Sequence, residues 1–171
     1  QRERLTNLLQ QDVRRLDRLI TDISNASRLD AELSRERPRA VELNTLLRDI
    51  VSVYETTAKP GDPTVVFEAG AEPQRVIGRD GPLGQVFRNL IDNALKYTPP
   101  AARIHVDAAR IGGDLVALRV ADTGPGVANH DHDRLFAPFQ RLGDVPRQDG
   151  VGLGLAVARG LTTAMGGTIA T

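Results

Sequence analysis

Asn89-Leu90-Ile91-Asp92-Asn93-Ala94-Leu95-Lys96-Tyr97 is the stretch whose reading decides the fold. Upstream of it, Leu83, Val86 and Phe87 join Leu90, Ile91 and Leu95 at helical spacing, which predicts a helix from about Asp80 to Lys96 with one apolar face. Asn89 and Asn93 stand four apart, and Asn93 three before Lys96, so all three project from one polar edge of that helix. Asparagine is a poor helix former, and two on one edge ask for a chemical reason. A neutral amide can ligate Mg2+ that keeps its waters and touches polyphosphate, and a lysine can neutralise phosphate charge. The plainer alternative is a solvated polar edge near a helix end.

Outward from this helix, Ala102 to Ala109 and Leu115 to Ala121 alternate as two strands, joined by the hairpin-like turn Ile111-Gly112-Gly113-Asp114. On the other side, Thr64 to Glu68 and Arg75 to Gly78 read as strands, and Lys59-Pro60-Gly61-Asp62-Pro63 as a turn. Ala40 to Leu43 reads as a short strand, and Asn44 as the cap of a helix over Leu46, Leu47, Ile50, Val51 and Tyr54. A turn-rich segment from Asp122 to Asp149 precedes a helix over Val151 to Met165 and a last strand at Thr168 to Ala170. Helices and mainly antiparallel strands in separate runs predict an α/β chain, a two-layer sandwich with a mixed sheet and helices on one face.

Residues 1–36 contain no Gly or Pro and read as one long helix. Apolar rows of Leu9, Leu16 and Ile23, of Val13 and Ile20, and of Leu5, Leu19, Ala26 and Leu33 merge into one stripe. A lone helix of this length is marginal in water, so the stripe needs a partner: the chain's own core, or a second helix in a dimer stalk. Asp12 and Asp30 interrupt the stripe, and Arg37-Pro38-Arg39 breaks the helix.

Composition excludes several functions. The chain has 171 residues, 22 basic against 22 acidic side chains, and no cysteine. A disulfide scaffold, a thiol nucleophile and a Cys-ligated zinc site are therefore out, and a neutral chain is not expected to hold nucleic acid by bulk charge. No apolar run approaches the roughly 20 residues of a membrane span, so a soluble, cytoplasmic domain is expected. Basic residues are nearly all arginine, Lys59 and Lys96 being the two lysines.

Nine of the sixteen glycines lie between Gly124 and Gly167, more than a core requires. Asp122-Thr123-Gly124-Pro125-Gly126 follows a strand, and Gly150-Val151-Gly152-Leu153-Gly154-Leu155 precedes a helix. Glycines at a helix N-terminus let backbone N–H groups approach an anion, where the helix dipole favours negative charge. The second cluster is thus a candidate phosphate cradle, or else a flexible loop with a tightly packed helix start. Its G-x-G-x-G spacing after a long loop is not a Rossmann fingerprint, and no P-loop motif is present.

In chain order, Asn89-x-x-x-Asn93-x-x-Lys96-Tyr97, Asp122-x-Gly124-x-Gly126, Phe136-x-x-Phe139-x-Arg141 and Gly150-x-Gly152-x-Gly154-Leu155 resemble the N, G1, F and G2 boxes of sensor histidine kinases. These kinases share an ATPase superfamily with gyrase B, the heat-shock chaperone ATPases and MutL. The resemblance covers about residues 40 to 170 and implies the Bergerat ATP-binding fold over 40–171. Residues 1–36 resemble the second helix of a dimerisation and phosphotransfer hairpin. The run from Phe136 to Asp144 resembles KdpD-type kinases, and the N-terminal helix ChvG-type ones.

By this resemblance the cofactors are ATP and Mg2+. Asp122 would accept a hydrogen bond from the adenine amino group, Gly124 and Gly126 would shape the turn beneath the base, and Tyr97 would lie against the purine. Asn93 would ligate Mg2+ with Asn89 close by, and Lys96 would stand near the phosphates. Gly150, Val151, Gly152, Leu153, Gly154 and Leu155 would take the phosphates. Arg141 would approach the terminal phosphoryl group, and Phe136 and Phe139 would anchor a mobile lid. Such a lid accounts for the long turn-rich run inside a compact domain.

The family's phosphoacceptor histidine sits in a motif like H-E-x-x-[TN]-P, and His105, His130 and His132 have no such context. His105 alternates within a strand and reads as structural; His130 and His132 read as solvated. The resemblance implies a homodimer through the N-terminal helix, a response-regulator partner, and a parent inner-membrane sensor anchored through segments absent here. It leaves two rivals. An ATP-driven clamp of the gyrase or MutL kind would carry a glutamate base where this chain has Asn89, and a non-catalytic kinase-like module would bind partners without nucleotide.

Overall fold

The structure is a computed structural model and describes residues 37–70, 72–140 and 152–171, with Thr6, Gln10, Val13, Leu16, Ile20, Thr21, Ser24, Ser27 and Ala31 of the N-terminal segment. Those nine N-terminal residues are all helical and exposed. Val13, Leu16 and Ile20, on the apolar stripe, are 56%, 56% and 62% exposed, so these three do not pack on the chain's own core. The rest of the stripe (Leu5, Leu9, Leu19, Ile23, Ala26 and Leu33) lies outside the described residues.

Strand β1 (Arg39–Glu42) leads into helix α1 (Leu43–Thr57), followed by β2 (Thr64–Glu68) and β3 (Arg75–Gly78). Helix α2 (Asp80–Tyr97) then precedes the hairpin strands β4 (Arg103–Gly112) and β5 (Leu115–Ala121). A 3-10 turn at Asn129–Asp131, the single turn α3 (His132–Leu135) and helix α4 (Gly154–Ala164) complete the order. Two small sheets form in place of the single mixed sheet expected: β1 pairs antiparallel with β3, while β4 lies between parallel β2 and antiparallel β5.

One core holds the two layers together. Leu43, Leu47, Ile50 and Val51 of α1 and Phe87, Ile91 and Ala94 of α2 are buried against Val65 of β2 and Ile104, Val106 and Ala108 of β4. The helices therefore share one sheet face, and side chains of alternate strand positions supply that face. The opposite face carries ion pairs, among them Arg119 with Asp107 at 2.8 Å. Helix α4 stacks on α2 instead of the sheet, burying Ala158 and Leu161 against Val86. An ion pair from Arg39 to Asp80 ties β1 to the first turn of α2.

Three local expectations are corrected. Helix α1 is capped by Glu42, not Asn44: the Glu42 carboxylate accepts the N–H groups of Asn44 and Thr45 at 2.9 Å each. The hydrogen bond from the Thr45 hydroxyl, joined by those backbone bonds, holds that carboxyl below its usual range. Helix α4 starts at Gly154 instead of Val151, because Gly152 has φ +78°, outside the right-handed helical region. No strand forms at 168–170; Ile169 packs instead on the cluster between α2 and α4.

Candidate functional site

Helix α2 is the spine of the site, and the segments that meet it do so at opposite ends of its C-terminal half. At its last residue, the chain after β5 passes so close that a Cβ on Gly124 would stand 2.9 Å from the Tyr97 carbonyl oxygen and 2.7 Å from Asp122 Oδ1. Only glycine fits there. Asp122 Oδ1 also accepts the Gly124 N–H at 2.7 Å, a local turn that fixes the carboxylate. The Asp122 side chain is exposed, and its second oxygen accepts no hydrogen bond among the described residues. Tyr97 is 38% exposed beside it. Gly126, with φ +72°, continues the turn.

Two turns back along α2, Asn89 meets the start of α4. Its Nδ2 donates to the Gly154 carbonyl at 2.9 Å, and its Oδ1 accepts from Gln85 Nε2 at 2.8 Å. Leu153, at the N-cap position of α4, supplies no side-chain hydrogen bond, and the first in-helix bond runs from the Val157 N–H to the Leu153 carbonyl at 2.9 Å. The N–H groups of Gly154, Leu155 and Ala156 have no side-chain cap among the described residues and stand at the positive end of the helix dipole.

Between these points lie Asn93, half-buried, and Lys96, exposed in the last turn of α2. The amide of Asn93 has no hydrogen-bond partner among the described residues. From Asn89 to Tyr97 the helix rises about 12 Å. A carboxylate at one end, uncapped N–H groups at the other and an amide with a lysine between them suit a ligand with a hydrogen-bonding head and an anionic tail.

The aromatic pair divides. Phe136 is buried, with the Arg159 guanidinium of α4 5.7 Å from its ring centroid. Phe139 is 62% exposed and has φ +61°, a left-handed conformation costly for an aromatic residue. Its N–H donates to the Gly152 carbonyl at 3.0 Å, and a Cβ on Gly152 would stand 2.7 Å from the Gln140 carbonyl oxygen. The two strands of chain that leave and re-enter the site are thereby joined. Arg141, Gly150 and Val151 lie outside the described residues.

Sequence reasoning missed two side chains here, Gln85, one turn before Asn89, and Arg159 over Phe136, and it placed Tyr54 on the apolar face of α1 without its partner. The Tyr54 hydroxyl donates to Asp92 Oδ1 at 2.8 Å and braces α1 to α2. Burial, with the Asp92 carboxylate as hydrogen-bond partner, raises the Tyr54 hydroxyl well above its ordinary range. The i, i+4 spacing of Gln85 and Asn89 was the available signal for the first.

The histidines take partners outside the set named above. His105 Nδ1 lies 2.8 Å from Glu68 Oε1 on the sheet, and His132 Nε2 lies 3.1 Å from the Val127 carbonyl oxygen. His130 Nε2 is 3.3 Å from Asp131 Oδ2. Among the described residues no group of three or more His, Cys, Asp or Glu side chains could hold a metal ion. No helix among them is long and apolar enough to cross a membrane.

Residues 78–171 match the model of a family described as histidine kinase-, DNA gyrase B-, and HSP90-like ATPases. The sensor protein ChvG of Agrobacterium fabrum is 38% identical over 179 residues, covering 98% of this chain and 30% of that protein. The sensor protein KdpD of Rathayibacter rathayi is 37% identical over 153 residues, covering 90% of this chain and 17% of that protein. The chain thus spans less than a third of the length of these relatives. Full-length ShkA, solved in complex with AMPPNP, superposes with a TM-score of 0.73 at 31% identity, over 97% of this chain and 34% of that one.

Proposed function

Because the chain belongs to the histidine kinase-, DNA gyrase B-, and HSP90-like ATPase family, as the ATP-binding catalytic domain of a sensor histidine kinase, we propose that it binds Mg2+-ATP and presents the γ-phosphoryl group to a protein histidine. One observation carries the assignment of groups: Asp122 and the uncapped start of α4 lie at opposite ends of the same half of α2. The purine sits at the Tyr97 end and the phosphates at the Gly154 end.

In this reading the free oxygen of Asp122 accepts from the exocyclic amine of adenine. Guanine would turn a carbonyl toward that carboxylate and be refused. Gly124 keeps the pocket floor flat, and Tyr97 covers one side of the base. The N–H groups at the start of α4, with Gly152 and Gly154 in the approach and Gly150 and Val151 ahead of them, hold the phosphates. Lys96 adds positive charge, Arg141 approaches the terminal phosphoryl group, and Phe136 anchors the lid that Phe139 borders.

The donor set fits Mg2+ arriving with the nucleotide. The neutral amide oxygen of Asn93, without a partner among the described residues, is a hard ligand, and Mg2+ is usually held through one or two protein groups plus phosphate oxygens. When bound, the ion supplies charge neutralisation at the phosphates. The remaining work is positioning and exclusion of water by this chain's own residues.

The N-terminal helix, residues 1–36, acts in this reading as one helix of a dimeric phosphotransfer hairpin, and the parent protein relays phosphate to a response-regulator aspartate from an inner-membrane sensor. A hydrolytic clamp of the gyrase kind is disfavoured by Asn89, whose amide is engaged at both ends and carries no base. Calorimetric titration tests the proposal: ADP should bind in a magnesium-dependent manner and GDP should not. Equal binding of both, or of neither, would refute it.

A further inference from the structure

Gln85 has no place in the reading above, yet its amide links Arg88 to Asn89 in a polar series that reaches the site. Arg88 Nη2 faces Gln85 Oε1 at 3.5 Å, Gln85 Nε2 donates to Asn89 Oδ1 at 2.8 Å, and Asn89 Nδ2 donates to the Gly154 carbonyl at 2.9 Å. Each amide in this series accepts at its oxygen and donates from its nitrogen to the next group, and bonds linked in this way polarise one another.

We infer that Gln85 is a positioning residue for the phosphate end of the nucleotide, acting through Asn89 on the first turn of α4. An asparagine amide has two faces that differ only in which atom donates. With Gln85 donating to Oδ1, the Asn89 NH2 group is turned to the Gly154 carbonyl; the reverse orientation would set two oxygens against each other there. That bond draws the α4 start toward α2 and so fixes where the N–H groups of Gly154, Leu155 and Ala156 stand. A Cβ on Gly154 would lie 3.9 Å from Asn89 Cβ and Cγ, so the two segments are in direct contact at this point. Asp122, Gly124 and Tyr97 are two turns further along and take no part in the series.

The inference rests on the proposed nucleotide site, and its consequence is selective. Loss of the Gln85 amide should weaken ligands that carry phosphates and spare those that carry only the base and sugar. Losing one such hydrogen bond corresponds to about a 3- to 10-fold change in affinity.

The test is calorimetry on the full chain with Mg2+-ADP and with adenosine, for the wild type, Gln85→Ala, Gln85→Met, Asn89→Ala and Gln85→Ala/Asn89→Ala. ADP affinity should fall about 3- to 10-fold in both Gln85 variants with adenosine unchanged, and Gln85→Ala should add nothing once Asn89 is alanine. Methionine fills the volume of glutamine without donating, so wild-type ADP affinity in Gln85→Met would show a packing role and overturn the inference. Equal losses for ADP and adenosine, or an undiminished effect of Gln85→Ala in the Asn89→Ala background, would overturn it too. If wild type binds neither ligand, the nucleotide site itself fails, and the inference with it.

Discussion

Gly124 and Tyr97 are in backbone contact: any side chain at position 124 would begin 2.9 Å from the Tyr97 carbonyl oxygen. This approach joins the strand layer to the end of α2, and it sets the Asp122 turn against the Tyr97 backbone. Gly124→Ala should therefore cost about 1–3 kcal/mol of stability and at least tenfold in adenine-nucleotide affinity. Urea denaturation paired with a titration checks both, and an alanine variant with unchanged nucleotide affinity would show that this contact does not shape the pocket.

Gly152 is constrained twice, by φ +78° and by the Gln140 carbonyl oxygen 2.7 Å from where its Cβ would be. Gly152→Ala should break the hydrogen bond from the Phe139 N–H and separate Phe139 and Gln140 from the chain that enters α4. Its expected signature is loss of ADP affinity with adenosine binding retained. Normal ADP binding in that variant would remove Gly152 from the phosphate site.

Asn89→Asp exchanges a donor for a carboxylate directed at the Gly154 carbonyl. An ADP affinity about tenfold weaker is expected, from one lost bond and one new repulsion. Asn89→Glu should not create an ATP hydrolase, since a side chain at that position is directed at Gln85 Nε2 and the Gly154 carbonyl. Appearance of steady-state hydrolysis in Asn89→Glu would revive the clamp reading.

Burial raises the Tyr54 hydroxyl above its ordinary value of 10.0, and its bond to Asp92 adds to the shift. A phenol whose pKa is higher folded than unfolded contributes stability that is complete below about pH 10 and is lost as pH rises beyond it. Denaturation curves across pH 8 to 11 should show a steeper alkaline fall for wild type than for Tyr54→Phe. Parallel curves would mean that the hydroxyl is not buried against Asp92.

Incubation of the chain with γ-labelled ATP and Mg2+ should leave no phosphohistidine, because His105 is paired with Glu68 on the sheet and His130 and His132 are surface residues outside the expected acceptor context. Label retained on any of the three, identified by substitution to asparagine, would contradict the proposed transfer to a histidine in the family's own motif.

Much of this was legible in the residues. The apolar row from Leu83 to Leu95 set α2 within a residue of its observed end, because periodicity reports which face is buried. The spacing also set Asn89 and Asn93 on one edge of the same helix, where Asn89 meets the start of α4. What was illegible depended on partners remote in sequence or on side-chain reach. Glutamate is not a favoured cap, and only its extended geometry at Glu42 brings its carboxylate back to the N–H groups of Asn44 and Thr45. Asn44, a favoured cap by type, is buried in the first turn instead. The division into two sheets also escaped, since strand composition does not specify pairing partners: β1 chose β3, across α1, and not the larger sheet. The expected final strand failed for a related reason, its isoleucine being claimed by the contact between α2 and α4.

The central claim is that one cavity, built along α2, takes the base at Tyr97 and Asp122 and the phosphates at Gly154. Backbone NMR during titration with Mg2+-AMPPNP tests it in a single experiment. The account predicts that the amide signals of Asp122, Gly124, Tyr97, Asn93 and Gly154 shift together with one saturation curve. Saturable binding that perturbs residues elsewhere and leaves those five signals in place would contradict it.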